Sequence, residues 1–338
     1  MAAPGFSVLS GRPFQDRRRR ARSPALLLVL LAVLAARPLA QERFIDVNRG
    51  IQDAGVNGPV KTVHVSGGVY VLVGGGANIV VQVGDEGVLV VDTGAAAAAD
   101  SILAAIRDLS KRPIRWIVNT TLDPDHVGNN ERMSNAGRTV NGNPAAIIAH
   151  EKLPIRMLKL PVPVPVSARP LNTFFGDVRD LYFNDDPIFI YRSPGHTDGD
   201  VLVHFRRADV IAAGETFLTT TYPVIDMANG GTTQGFIDGL NRILDLAVPK
   251  HLEEGGTYIV PGHGRICDEA DVLEYHDMIV IVRDRIRDAI TKGMTLDQIK
   301  AARLTRDYDP RYAAPSGTGT AANFVESIYR DLSGKKEP

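Results

Sequence analysis

The segment TLDPDHVG, residues 121–128, brings three side chains of the kinds that bind divalent cations close together: Asp123, Asp125 and His126. It directly follows the strand-like apolar run 114–119 and ends in a glycine. Loops at the ends of strands on a rigid sheet are where binding and catalytic residues concentrate. Carboxylates and imidazoles together form a ligand set for divalent cations. The segment therefore predicts one part of a metal site.

Four further segments have the same character, because each sets an ionisable residue beside a glycine near the end of an apolar run. They are VVDTG at 90–94, SPGHTD at 193–198, AGETF at 213–217 and VPGHG at 260–264. Glycine lets the backbone turn sharply and approach a bound ion closely. Together the five segments predict one site assembled from distant parts of the chain.

In these segments, from about residue 60 to residue 264, the chain resembles the metallo-β-lactamase fold superfamily. The first metal motif of that family reads His-x-His-x-Asp-His, and the corresponding positions here are Thr121, Asp123, Asp125 and His126. The resemblance implies that Asp125 and His126 are metal ligands. It also shows a departure from the family pattern, because Thr121 and Asp123 stand where the family has two histidines.

The later ligands of the family fall on His196, Glu215 and His263. The gaps of 70, 19 and 48 residues, counted onward from His126, fit the family order. The resemblance implies one firm metal site at Asp125, His126 and His263, with Glu215 able to bridge to a second ion. Three protein ligands and an open position are what a catalytic metal needs.

A second ion, held more weakly by Asp123, His196 and Glu215, is a further implication. Threonine is a poor ligand, so this site has lost one imidazole at Thr121 and has exchanged another for a carboxylate at Asp123. Zn is the expected metal, as one or two ions. Mn or Fe are alternatives, because carboxylate ligands favour harder cations than imidazole does.

The chemistry that the resemblance implies is metal-dependent hydrolysis. A divalent cation lowers the pKa of a bound water from about 15.7 to about 7, and Asp125 would orient that metal-activated water as the catalytic residue. The scissile bond stays open among ester, thioester, lactone, amide or lactam, and phosphoester bonds, since loops select the substrate. Two alternatives stand beside hydrolysis: redox chemistry at iron, as in the flavodiiron branch with its acid at the Asp123 position, and a catalytically inactive metal-binding scaffold.

Hydropathy predicts the fold class. Val-rich runs at 60–65, 69–73, 79–83 and 88–92, separated by glycine turns, indicate an antiparallel meander. Further strands are predicted at 114–119, 145–149, 188–191, 201–205, 210–213 and 257–260, and helices at 95–110, 150–158, 236–246, 271–291, 295–302 and 322–332. The prolines of 160–170 predict an extended surface segment. Two sets of strands, each followed by helices, predict an α/β fold built as a four-layer αββα sandwich.

The first 40 residues differ in composition from the rest. They hold seven Arg and one Asp, a net charge of +6, so the total of −1 leaves −1 − 6 = −7 for residues 41–338. A basic stretch, then the apolar run 25–36, then small residues near Ala40 predict a signal peptide at 1–40. We therefore expect a periplasmic or secreted protein, with a single domain at 41–338 that ends in a helical extension at about 268–332.

Composition limits the partners. The single cysteine, Cys267, excludes an intramolecular disulfide framework and a cysteine-cluster metal site. A pI of about 6.7 gives no indication of nucleic-acid binding. The run 25–36 is shorter than the roughly 20 residues of a membrane-spanning helix, so no stable membrane contact is expected after signal removal. The expected partner is a small-molecule substrate, and the oligomeric state stays open.

Four residues carry narrower predictions. Asp92 is expected to tie the end of its strand to a ligand histidine. Asp198 is a candidate hydrogen-bond partner for the ring of His196. Tyr222 is a candidate for the mouth of the substrate pocket, and Cys267 is expected to be a packing residue.

Overall fold

A computed structural model of the chain describes residues 59–250, 252 and 255–334. The predicted signal peptide at 1–40 and the start of the predicted domain at 41–58 lie outside these residues, so the division into a leader and one domain stays a prediction. Among the described residues, no helix is both long enough and apolar enough to cross a bilayer.

The first sheet has seven strands in sequence order from β1 to β7. The strands are β1 Lys61–Ser66, β2 Val69–Val73, β3 Ile79–Gly84, β4 Gly87–Val91, β5 Ile114–Val118, β6 Ala146–His150 and β7 Asn172–Phe174. The pairs from β1 to β4 are antiparallel, as the predicted meander requires, and the pairs from β4 to β7 are parallel.

The second sheet has five strands in the order β12-β11-β10-β9-β8. They are β8 Val178–Phe183, β9 Asp186–Arg192, β10 Val201–Phe205, β11 Val210–Gly214 and β12 Tyr258–Pro261. The pair of β11 and β12 is parallel and the other pairs are antiparallel.

Nine α-helices connect or follow the strands in the described part of the chain. They are α1 Ala99–Leu109, α2 Pro124–Val127, α3 Asn130–Ala136, α4 Lys152–Met157, α5 Thr233–Leu246, α6 Glu269–Thr291, α7 Leu296–Ala301, α8 Asp309–Tyr312 and α9 Ala321–Leu332. The last four fall within the predicted C-terminal helical extension.

Alternation along the strands builds the four layers, because successive side chains of a strand point to opposite faces of its sheet. In β4, Leu89 belongs to the core between the two sheets, whereas Val90 packs against α1. In β10, Val203 belongs to the same central core, whereas Leu202 packs beneath the C-terminal helices. The predicted αββα sandwich is confirmed.

Several short elements were not predicted, among them β7, β8, α3 and α8. The strands β7 and β8 and the helix α3 carried no clear periodic signal. The edge strand β8 has the adjacent charged residues Arg179 and Asp180, and α3 has Met133 as its single large apolar residue. The segment 160–170 is not extended throughout, because residues 166–168 form one 3₁₀ turn.

Tyr222 does not lie at a pocket mouth, so that prediction is wrong. Its ring is fully buried and stacks on Phe324 of α9, with ring centroids 4.8 Å apart. Its hydroxyl donates to Thr305 O and to Asp309 Oδ1. The ring therefore fixes the loop after β11 to the C-terminal helices. Cys267 is buried in the same helix-covered core, as predicted.

A buried histidine in β10 predicts a specific acid sensitivity. His204 is 6% exposed, and among the described residues neither of its ring nitrogens has a hydrogen-bond partner. Burial, together with Arg206, lowers the pKa of His204 to about 4. The unfolded chain therefore takes up this proton first, and stability that is present above pH 6.5 is lost as the pH falls toward 4.

Across that range the wild type should lose about 2–3 kcal/mol of unfolding free energy more than His204→Leu does. Urea unfolding of both proteins at pH 7 and at pH 4.5 measures the difference. His64→Leu, at an exposed position of β1, is the control and should keep the acid sensitivity of the wild type. A variant His204→Leu that is as acid-labile as the wild type would contradict the assignment.

Candidate metal centre

The carboxyl ends of the strands of both sheets meet at one edge of the sandwich. Asp92 directly follows β4, and the segment 121–128 lies after β5. His196 lies between β9 and β10, Glu215 directly follows β11, and His263 lies two residues after β12. The predicted site residues therefore come from both sheets.

Asn78 joins the two halves of this edge. Its side-chain Nδ2 donates to Pro261 O at 2.9 Å and to Gly264 O at 3.0 Å, and its backbone N–H donates to Gly262 O at 2.8 Å. Gly262 itself permits a close approach, because a Cβ there would lie 2.7 Å from Glu215 Oε1. The loop that carries His263 is thus fixed against the first sheet.

Asp125, His126 and His263 form a compact group. Each can offer one ligand atom such that all three atoms lie within 4.8 Å of one another. His263 Nε2 is 3.1 Å from Asp125 Oδ2. Glu215 Oε1 completes the cluster at 3.2 Å from His126 Nε2 and 3.6 Å from His263 Nε2. Within the described ranges, this is the single group of three or more such residues close enough to share an ion.

Asp92 orients His126, as predicted. Its Oδ2 lies 2.7 Å from His126 Nδ1, and its two carboxylate oxygens accept hydrogen bonds from the backbone N–H and the hydroxyl of Thr120. Asp92 has a φ of 63°, a conformation that Asn and Asp tolerate better than most residues. With Nδ1 directed at Asp92, the Nε2 atom of His126 is left to face the centre.

Asp92→Asn should weaken Zn binding roughly 10–100-fold, because loss of the carboxylate leaves the ring of His126 less firmly oriented and less basic. Asparagine keeps the left-handed backbone conformation, so strain does not confuse the result. Competition with a chromogenic chelator measures the dissociation constant. The matched control is Asp200→Asn, which acts on His196 and should change this constant much less. Equal effects of the two substitutions would contradict the role of Asp92.

His196 has a different partner from the one predicted. Its Nδ1 lies 2.7 Å from Oδ2 of the buried Asp200. Asp198 instead pairs with Arg156 and lies 3.9 Å from the Lys152 ammonium. The prediction for Asp198 was therefore wrong. The partner of His196 is Asp200, two positions later, because the loop between β9 and β10 directs Asp200 toward the ring.

The residues of the weaker predicted site lie close together but form no three-residue group of the kind described above. His196 Nε2 is 3.8 Å from Asp123 Oδ2. Thr121 is fully buried, and its hydroxyl has no hydrogen-bond partner in the described part of the chain. Glu215, the third residue predicted for this site, lies against His126 and His263. The other donors are one carboxylate and one imidazole, a less complete set than that of Asp125, His126 and His263.

The acids of the centre respond to opposite influences. A hydrogen bond from His263 holds the pKa of Asp125 down at about 2. Burial would raise the pKa of Glu215, but hydrogen bonding and charge from His126, with the other two histidines, lower it. Burial raises the pKa of Asp123 to about 6. Asp125 and Glu215 are therefore ionised at neutral pH and suited to hold a cation.

The imidazoles of His126 and His196 are protonated in the absence of a cation. Burial would lower the pKa of His126, but the carboxylates of Asp92 and Glu215 raise it well above the ordinary value. Burial would likewise lower the pKa of His196, whereas Asp200 and other acids raise it to about 9. A divalent cation at these nitrogens has to displace the protons, so metal affinity is linked to pH.

A cavity of about 670 Å³ opens onto the centre. Asp123, Asp125, His196, Glu215 and His263 line one side of it. Four side chains of α9 line it as well: Asn323, Glu326, Ser327 and Arg330. Sequence reasoning missed these four, because the polar face of an amphipathic helix normally faces water.

A sequence model described as the metallo-beta-lactamase superfamily matches residues 72–263, more than half of the 338 residues. The chain belongs to the metallo-beta-lactamase superfamily. The resemblance drawn from the five motif segments is confirmed. The carboxylate and imidazole donors at Asp125, His126 and His263 fit a divalent cation.

Solved structures with the same fold are distant in sequence. The stereoselective inverting sec-alkylsulfatase Pisa1 from Pseudomonas sp. is 14% identical with a TM-score of 0.60, over 81% of this chain and 50% of that one. A metallo-beta-lactamase from Cronobacter sakazakii is 17% identical with a TM-score of 0.54, over 71% of this chain and 93% of that one.

A metallo-beta-lactamase from Pontibacter korlensis is 17% identical with a TM-score of 0.52, over 65% of this chain and 99% of that one. The chain thus spans about half the length of the alkylsulfatase and nearly all of the two metallo-beta-lactamases. No curated protein sequence matches the chain. The superfamily fold is therefore shared with enzymes of different specificity.

Proposed function

We propose that this chain is an exported hydrolase that uses one firmly held divalent cation and a metal-activated water to cleave a small-molecule substrate. The observation that carries the proposal is the convergence of Asp125, His126 and His263 beside a cavity large enough for such a substrate. When bound, the cation lowers the pKa of a coordinated water to about 7 and polarises the electrophile.

The side chains around the cation divide the remaining work. Asp125 is ionised and partly exposed to the cavity, so it orients the attacking water and accepts its proton. Asp92 holds the ring of His126 in one orientation. Asp200 does the same for His196, whose Nε2 faces Asp123 and the cavity.

One metal is favoured over two. The weaker site keeps Asp123 and His196 but has the neutral Thr121 where the family has an imidazole. Glu215 approaches the two histidines of the firm group, at 3.2 and 3.6 Å. We propose Zn as the metal, with Mn or Fe as alternatives because carboxylates are prominent among the ligands.

The bond class is best tested by a substrate panel after elemental analysis of the purified protein. The panel holds an ester, a thioester, a lactone, a β-lactam and a phosphodiester. A secondary alkyl sulfate is added because one structure of the same fold is named a sec-alkylsulfatase. Turnover of at least one class by metal-loaded protein supports the proposal. Stoichiometric metal with no turnover of any class would reject it.

The missing imidazole at Thr121 favours a second candidate, a scaffold that binds metal without catalysis. The same panel decides between the two, since the scaffold holds metal and hydrolyses nothing. Iron-based redox chemistry, suggested by the acid at Asp123, is separated from hydrolysis by visible absorbance of the purified protein and by oxygen uptake.

The place of action and the partners are proposals from the sequence. The basic and apolar leader at 1–40 supports a periplasmic or secreted protein with no stable membrane contact after signal removal. The acidic balance of residues 41–338 supports a small-molecule substrate and no nucleic-acid partner. Detection of the protein, shortened at its N-terminus, in a periplasmic extract tests the localisation.

A further inference from the structure

The helix α9 forms a wall of the cavity that lies outside the family match. The superfamily model ends at residue 263, whereas α9 spans Ala321–Leu332. Asn323, Ser327 and Arg330 line the cavity and stand at positions i, i+4 and i+7 of the helix. Residues at this spacing share one face of an α-helix. The helix therefore presents a continuous polar face to the same cavity as the metal ligands.

This wall is fixed in position. Phe324, Val325 and Ile328 on the other face of α9 are buried in the core beneath the C-terminal helices. Thr320 caps the helix by accepting from the backbone N–H of Asn323. Tyr222, in the loop that follows Glu215, stacks on Phe324 at 4.8 Å. A wall anchored in this way can discriminate between substrates, because its side chains are held before the substrate arrives.

Glu326 and Arg330 of α9 form a charged cluster with Lys300 of α7, and this cluster has a surplus positive charge. Glu326 Oε1 accepts from Arg330 Nε at 2.9 Å and from Arg330 Nη2 at 2.6 Å. Glu326 Oε2 accepts from the Lys300 ammonium at 2.5 Å. Two cations thus share one carboxylate, for a net charge of +1. Within the described residues the hydrogen bonds of Arg330 go to Glu326 through Nε and Nη2, and Arg330 itself lines the cavity.

The other acids of the cavity do not use this charge. Asp226, in the loop after β11, accepts from the backbone N–H of Asn229 through Oδ1 and from Asn229 Nδ2 through Oδ2. Asp123, Asp125 and Glu215 belong to the metal half of the cavity. Arg330 is therefore the fixed cation that a substrate meets on the α9 side.

We propose that Arg330, with Ser327 and Asn323 beside it, is a subsite for an anionic group of the substrate, such as a carboxylate, held away from the scissile bond. The inference rests on the proposed hydrolytic function of the same cavity. A guanidinium binds a carboxylate through charge-assisted hydrogen bonds, and the neighbouring hydroxyl and amide add neutral donors. The preferred substrate is thus anionic at the end opposite the bond that is cleaved.

The test compares two 4-nitrophenyl esters, one of butyric acid and one of glutaric acid, on metal-loaded protein. The second carries a free carboxylate and the first does not. Arg330→Gln should lower kcat/KM for the glutarate ester about tenfold through a higher KM. The butyrate ester should change less than twofold. Arg330→Lys should restore part of the loss, because it keeps the charge without the forked geometry.

Glu326→Gln removes a negative charge beside the subsite, whereas Arg330→Gln removes the positive charge, so the two substitutions should act in opposite directions. Glu326→Gln removes the acid that two cations share, so the preference for the glutarate ester over the butyrate ester should rise. Equal kcat/KM losses for both esters in Arg330→Gln would mean that Arg330 only supports the helix, and this result would overturn the subsite. An unchanged preference in Arg330→Gln would overturn it as well.

A binding measurement separates this inference from the proposed function. Ligand-observed NMR with glutarate on metal-loaded wild type and Arg330→Gln needs no turnover. Weaker glutarate binding by the variant supports the subsite even if neither ester is hydrolysed, and the hydrolytic proposal alone then fails. Hydrolysis of both esters without a difference in glutarate binding leaves hydrolysis standing and rejects the subsite.

Discussion

Alanine in place of His263 should empty the metal site and lower the rate of hydrolysis about a thousandfold, since a bound cation contributes several kcal/mol to the transition state. Asp125→Ala should do the same, because His263 Nε2 and Asp125 Oδ2, 3.1 Å apart, face the same point. Metal content by mass spectrometry and kcat/KM on the best panel substrate measure the two effects together.

Two matched controls make this result specific. Thr121→Ala removes a buried hydroxyl next to the centre and should change metal content little, because the threonine is not expected to be a ligand. His64→Ala removes an imidazole from an exposed position of β1. If His263→Ala kept a full equivalent of metal, or if Thr121→Ala lost it, the assignment of the ligands would be wrong.

Complete removal of metal should abolish turnover, and Zn, Mn or Fe should restore it. The protonated state of His126 adds a pH dependence to the reloading, because metal binding at this ring displaces a proton whose pKa is raised well above the ordinary value. The apparent affinity should therefore rise about tenfold per pH unit for each proton released, between pH 6 and pH 8.

Dialysis against a chelator, followed by titration of each metal at three pH values, measures both parts. Glu215 is already ionised over this range, since the nearby histidines lower its pKa, and it should add no slope. An undiminished rate in metal-free protein would reject metal-dependent hydrolysis. An affinity that stays constant with pH would show that His126 is not a ligand.

The sequence predicted most of the fold because its central strands are uniform Val-rich runs. The strands β2 to β4 are buried on both faces and bounded by glycine turns, so their positions followed from composition alone. The edge strand β8 carries Arg179 and Asp180 among apolar residues and is half exposed. A strand of this kind has no continuous apolar run, and only its pairing with β9 identifies it.

The sequence also identified the residues that meet at the centre, because each lies beside a glycine at the end of a strand. It did not distinguish Asp198 from Asp200, since the path of one loop decides which acid reaches His196. It could not place Tyr222 or Arg330 either. Their partners, Phe324 and the metal cavity, depend on how the C-terminal helices fold back over the second sheet.

The three hydrogen bonds of Asn78 have a consequence for assembly. Asp125 and His126 belong to the half of the first sheet, and His263 belongs to the half of the second sheet. Asn78, next to β3 of the first sheet, holds the loop of His263 through hydrogen bonds. The ligands from the two halves are therefore held close together before an ion binds, and the ion does not have to bring two independent halves together. The bound ion would also link the two halves through its ligands. Metal loading should therefore raise the thermal stability of the fold at the same time.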